Sequence, residues 1–263
     1  MTSISLLLLA ASTATAGEIS VIGSLVREAS LQAGEKTEGV ILVRNNGDVP
    51  REVIVHQTDY RFTADGRNDF AEAGTLPRSN TGWIQFSPGQ ATIPPHATAS
   101  VYYTMETPQQ ADLQGTYWSL LMVEALPTVD LDAPVVDARG VRIDTVIRYG
   151  IELITEVGAP SAGALAFESG ALRRADGQTI LALDIGNTGT RQLSPQVWVD
   201  VFDAGGASMG RFQAKRRSRL LPGCSARYDL DLTSLPSAQY TGLAIADAGS
   251  DQVFGSDYTL DLR

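Results

Sequence analysis

Cysteine and histidine are nearly missing from this chain of 263 residues, which carries one Cys and two His. A single thiol, Cys224, can form no internal disulfide and cannot build a thiolate zinc site. His56 and His96 lie too far apart in sequence, with no evident acid or nucleophile beside either, to suggest a catalytic pair. Basic side chains are also short, 20 against 30 acidic, and the net charge of −10 argues against general affinity for nucleic acid. No stretch approaches the eighteen or so apolar residues that would cross a bilayer. A phosphate-binding loop, His-Glu-x-x-His and a dinucleotide fingerprint are absent. The expectation is a protein that is not an enzyme, with no cofactor, no metal, no nucleic-acid partner and no membrane span.

What the chain has is apolar content, 43%, enough for packed cores. Ile4–Ala11 is a short, mostly apolar stretch followed by Ala14-Thr15-Ala16. That small-x-small ending is the mark of a cleaved export signal, residues 1–16, with the cut before Gly17. The mature chain is then expected in the periplasm, and Cys224, alone in an oxidising compartment, is expected to be buried.

Beyond Gly17 the hydrophobic period is two. Val101, Tyr103 and Met105 alternate with Tyr102, Thr104 and Glu106, and Leu181, Leu183 and Ile185 alternate with Ala182 and Asp184. Turn signals punctuate these runs: Asn46-Gly47-Asp48, Asp65-Gly66, Pro94-Pro95, Asp176-Gly177, Gly205-Gly206 and Pro222-Gly223. Short alternating runs between such turns predict antiparallel strands and an all-β fold, two immunoglobulin-like β-sandwiches in tandem. Residues 158–163 are small and flexible and read as a linker between domains 17–157 and 164–263.

The halves look like distant copies. Val40–Gly47, ending Asn45-Asn46-Gly47, matches Leu181–Gly189, ending Asn187-Thr188-Gly189. Ile93-Pro94-Pro95-His96 is matched to Leu221-Pro222-Gly223-Cys224, and Tyr117 to Tyr240. With Val53-Ile54-Val55 matched to Val197–Val201 between them, four features in the same order make two related domains.

Three segments carry a further likeness: Ala33-Gly34-Glu35-Lys36 before the strand ending at Asn45, Pro94–Ser100 before the next alternating strand, and Tyr117–Pro127 with its Glu124-x-x-Pro127 exit. In these the chain resembles a divergent member of the PapD-like periplasmic pilus-assembly chaperones. The resemblance implies a chaperone-like factor that binds protein subunits of a pilus or surface assembly by β-strand addition. It also implies that the last strand of the first domain displays the partner-binding side chains, here Val141, Ile143, Thr145 and Ile147. Alternation continues on that parity through Tyr149, Ile151 and Leu153, so the 13 positions from 141 to 153 would extend about 40 Å as one strand. In that family a basic pair holds the subunit's terminal carboxylate. Glu28 and Glu152 stand at the corresponding positions of this chain, and Arg27 and Arg148 are the neighbouring candidates for carboxylate anchoring.

An alternative of the same fold is a secreted, non-catalytic binding or scaffolding module for envelope polysaccharide or a surface protein. An aromatic groove built from Trp83, Trp118 and Trp198 would favour it. Tyr60–Trp83 reads as a long loop, and Lys215–Arg219, the one basic cluster, as a solvated face.

Overall fold

The computed structural model describes residues 19–110, 112–126, 147–158, 163–215, 219–249 and 252–263. The segment read as an export signal and the candidate positions Val141, Ile143 and Thr145 lie outside the described residues. Within them the chain is all-β. Its strands are β1 (Ile19–Ile22), β2 (Val26–Leu31), β3 (Lys36–Asn45), β4 (Arg51–Phe62), β5 (Asn68–Ala71), β6 (Ile84–Ser87), β7 (Gln90–Ile93), β8 (Thr98–Glu106), β9 (Gly115–Ala125) and β10 (Arg148–Val157). The second half continues with β11 (Leu165–Ala175), β12 (Gln178–Asn187), β13 (Gln196–Phe202), β14 (Ser208–Gln213), β15 (Ser225–Asp231), β16 (Gln239–Asp247) and β17 (Val253–Asp261). Among the described residues the only helix is a single 3₁₀ turn, Thr81–Trp83, and no helix is long and apolar enough to cross a membrane.

Two immunoglobulin-like sandwiches follow one another. The first packs sheet β1-β3-β8-β6 against sheet β2-β10-β9-β4-β5, with β7 also joined to β4. The second packs β11-β12-β15 against β14-β13-β16-β17. Each has its own core: Ile41, Val43, Val101, Leu121, Val123, Ile151 and Leu153 in the first, Leu183, Ile185, Val199, Leu230 and Ala244 in the second. Alternate residues of each strand point inward, as an aligned sandwich requires. In β3 the inward parity belongs to Ile41 and Val43, while Val40 is exposed.

The repeat is visible atom by atom. Asn45 is buried, and its Nδ2 donates to the carbonyls of Val49 (2.8 Å) and Ile93 (3.0 Å), while its Oδ1 accepts from Gly47 N–H (2.9 Å). Asn187, equally buried, donates to Arg191 (2.6 Å) and Leu220 (2.8 Å) and accepts from Gly189 N–H (2.9 Å). In each sandwich one asparagine therefore closes the end of a ten-residue strand and ties it to the turn across the sheet. The turns correspond with a one-residue offset from the sequence match. Ala97 N–H donates to Pro94 O and Cys224 N–H to Leu221 O, so Pro95-His96 is equivalent to Pro222-Gly223. His96 and Gly223 both take positive φ, 57° and 75°, the third position of a turn that needs a left-handed residue after proline.

One further expectation is corrected. Tyr60–Trp83 is not one long loop: β4 runs to Phe62 and folds back as β5, because Asp65-Gly66 closes a hairpin with Gly66 at φ 87°. The remaining stretch is pinned by buried Asp59, whose carboxylate accepts from Leu76 N–H (2.7 Å) and Ser79 Oγ (2.6 Å). The strand expected over 141–153 is described only from Arg148 onward.

Candidate functional site

β10 is the central strand of the site. It runs antiparallel to β9 along its whole length, Arg148 opposite Glu124 through Val157 opposite Gly115. On its other side β2 runs parallel to it, but only from Glu152 opposite Val26 to Val157 opposite Leu31. The reason lies at Gly23. With φ 95° it breaks the first strand, so that β1 stays on β3 and β2 crosses to β10. The last bond on that flank is Glu152 N–H to Leu25 O at 2.8 Å. Backbone groups of alternate residues point to the same side of a strand. Arg148 and Gly150 therefore turn their amides and carbonyls toward the vacated flank, where no described strand pairs with Arg148–Ile151.

A groove of about 650 Å³ lies over this place. Its lining comes from the outward parity of three strands: His56, Thr58 and Tyr60 on β4, Leu120, Met122 and Glu124 on β9, and Arg148, Gly150 and Glu152 on β10. Leu25, Val26, Asn68 and Phe70 form its sides, and Arg219 reaches in from the second sandwich. β9 is apolar on both faces, with Leu121 and Val123 in the core and Leu120 and Met122 forming the groove floor. Leu25 and Phe70, 41% and 60% exposed, are two of the most exposed large apolar side chains described, and both stand on this rim. At Gly150 a Cβ would come within 3.2 Å of Leu120 and 3.3 Å of Met122, so the missing side chain is what leaves the floor room beside the strand.

Charge surrounds the apolar floor. At the far end Arg148 pairs with Glu124 at 2.9 Å. At the end near the second sandwich one guanidinium, that of Arg219, bonds both Glu28, at 2.6 Å, and Glu152. Burial pushes the Glu152 carboxyl above its ordinary range; Arg219 opposes this and the Glu28 charge adds to it. Beyond this end the two sandwiches meet. Trp118, Ile154, Leu221 and Cys224 form a small shared core, and Trp118 Nε1 donates to Tyr60 O at 2.7 Å. Burial pushes the Cys224 thiol up to about 11. Thr116 N–H donates to Thr190 O (2.8 Å), and Arg191 pairs with Glu156 (3.1 Å). Gly115 sits so close to Thr190 that a Cβ there would lie 2.2 Å from its carbonyl oxygen.

The residues expected to form the site separate. Ile147, the one member of its set within the described residues, precedes β10 with its side chain exposed. Tyr149, Ile151 and Leu153, on the same parity, face the first core, because the outward parity of β10 belongs to Arg148, Gly150 and Glu152. Arg27 and Arg148 do not form a pair. Arg148 lines the groove, already joined to Glu124, whereas Arg27 lies on the opposite parity of β2 from Val26, bonded to Ser24 O. Arg219 is also not the solvated charge its cluster suggested, since its two partners hold it in the cleft. Sequence reading missed Leu25, Phe70, Gly150 and Arg219. The two-faced apolar pattern of β9 was the available signal, because a strand buried on both sides implies a cover on its second face. The tryptophans build no common groove: Trp83 stacks on Tyr117, Trp118 lies between the sandwiches, and Trp198 lies under Arg211.

No protein-family model matches the sequence, and no curated protein matches it. Among solved structures the chain is similar to a chaperone–tip adhesin complex of CFA/I fimbriae at 12% identity, over 92% of this chain and 97% of that one, with a TM-score of 0.48. It is similar to the class 5 fimbriae chaperone CfaA at 11% identity, over 92% and 98%, with a TM-score of 0.47. A chaperone–tip subunit pre-assembly complex of Csu pili from Acinetobacter baumannii follows at 13% identity, over 90% and 97%, with a TM-score of 0.42.

Proposed function

We propose that the chain is an exported, periplasmic, non-catalytic assembly factor that holds a subunit of a pilus or surface structure by accepting one of its strands beside β10. The two sandwiches, residues 17–157 and 164–263, act as the arms of a cleft, with 158–163 between them. The observation that supports this reading is the flank of Arg148–Ile151. There a row of main-chain donors and acceptors lies beside an apolar groove, with no described strand paired to it. Such an edge supplies affinity through the backbone and specificity through alternate side chains.

Amide hydrogen exchange tests it. An eleven-residue peptide alternating Val and Thr, with blocked ends, is expected to slow exchange at Gly150 N–H while leaving Ile151 N–H, which points toward β9, unchanged. Leu25→Asp with Phe70→Asp should abolish binding without unfolding the protein, since both side chains are exposed. Binding that leaves Gly150 unprotected, or no binding, rejects strand addition.

A further inference from the structure

The groove has an apolar middle and one end whose charges do not balance. Among the described residues around that end, Glu28 and Glu152 share the single cation of Arg219. At the other end Arg148 and Glu124 already neutralise one another. Two other described arginines nearby supply no second cation to that end: Arg191 is engaged by Glu156, and Arg27 lies on the other parity of β2 and bonds Ser24 O. Glu152 is also largely withdrawn from water, with its side chain 18% exposed, so the excess negative charge is weakly screened.

We infer that the strand accepted beside β10 belongs to a partner protein and carries a lysine or arginine at the end that meets Glu28 and Glu152, with small apolar side chains alternating along the groove. This rests on the strand-addition reading and adds the partner's charge. An incoming cation would complete a four-charge cluster in which each carboxylate has a guanidinium or ammonium of its own. An incoming carboxylate would meet two of its own sign across one arginine and would be repelled. The sign is opposite to that implied by the chaperone resemblance, and the substitution of two glutamates for a basic pair is its physical cause. The raised Glu152 carboxyl agrees with it, because a burial cost incompletely offset by Arg219 is relieved by a second cation.

Three blocked peptides test the inference, alternating Val and Thr and differing only in both terminal residues: Lys, Gln or Glu. Their affinities are measured by fluorescence anisotropy at low salt, with Gly150 exchange followed in parallel. Lys ends should bind about fivefold more tightly than Gln ends, and Glu ends about fivefold more weakly. Glu28→Gln, at a half-exposed position, should shrink the Lys advantage, and Glu28→Gln with Glu152→Gln should reverse it while the Gln peptide still binds. Equal affinities, or a preference for Glu, with Gly150 still protected, overturn the inference and leave strand addition standing. If no peptide protects Gly150, strand addition falls and the inference with it. A concentration-dependent dimer that protects Gly150 without peptide would make a second copy the occupant and overturn the inference as well.

Discussion

The two sandwiches share a plan and differ in how the first strand is spent. In the second, β11 pairs with β12 from Leu165 to Ala175, through one bulge after Phe167, and never leaves its sheet. In the first, Gly23 divides the same element, and its second half joins the opposite sheet beside β10. The continuous strand stays at the edge of the second sandwich's three-stranded sheet. There Gly170 lies under the Tyr258 ring, and Arg174 bonds the carbonyls of Asp261 and Arg263, so β11 covers part of β17. The divided strand pairs only with the second half of β10, and no described strand pairs with the first half on that side.

The outer faces differ in the same way. Sheet β14-β13-β16-β17 carries Asp200 bonded by Arg211, with Arg211 stacked over Trp198 at 4.6 Å, and the β12 face carries Asp184 bonded by Arg227. These arginines hold both aspartates below the usual carboxylate range. The groove of the first sandwich is floored instead by Leu120 and Met122, and its carboxylate, Glu152, moves the other way. Charge pairs suit a sheet face that meets water, whereas an exposed apolar floor is the kind of surface a binding partner buries.

Three experiments would break or sharpen this contrast. The largest effect belongs to what the sandwiches share. Asn45→Ala and Asn187→Ala each remove one buried side chain that donates to backbone carbonyls and accepts a backbone N–H, and each should cost about 3 kcal/mol in urea unfolding. Equal losses confirm that the two asparagines do the same work, and a loss in one alone breaks the equivalence. Next comes Arg219→Gln, which leaves Glu152 half-buried without its cation and should cost about 1–2 kcal/mol at pH 7. The sign with pH follows from Glu152, whose folded-state pKa is already raised and rises further in the variant. A carboxyl of that kind stabilises the fold below its unfolded pKa and loses that contribution as pH rises through the folded value. The deficit against wild type should therefore shrink as pH is lowered from 7 toward 4, and a pH-independent deficit would show that Arg219 acts by packing alone. The smallest effect tests the matched turns. Gly223→Ala should cost about 1 kcal/mol because a Cβ is forced into the left-handed region, while His96→Gly should gain about 0.5 kcal/mol by relieving it. Opposite signs at equivalent positions are the expected readout.

Much of the plan was legible in the residues. Alternation in Val101–Met105 and Leu181–Ile185 marks strands because side chains on a pleated strand must point to opposite faces. Asn45-Asn46-Gly47 and Asn187-Thr188-Gly189 marked equivalent corners because few residues can cap a strand end and accept from the second amide onward. The offset between Pro95-His96 and Pro222-Gly223 was hidden because histidine does not advertise a left-handed turn. The functional parity of β10 was hidden for a similar reason: Tyr149, Ile151 and Leu153 carry the stronger hydrophobic signal, and they face the core.

Local chemistry in the chain thus determined its strands, its turns, its duplication and its acidic balance, since each depends on neighbours a few residues apart. Tertiary structure alone decided that β2 would stop at Glu152, that Leu25 and Phe70 would converge on Gly150, and that Arg219 would stand between Glu28 and Glu152. Those contacts join positions up to 191 residues apart, and no periodicity in the sequence records which strands become neighbours.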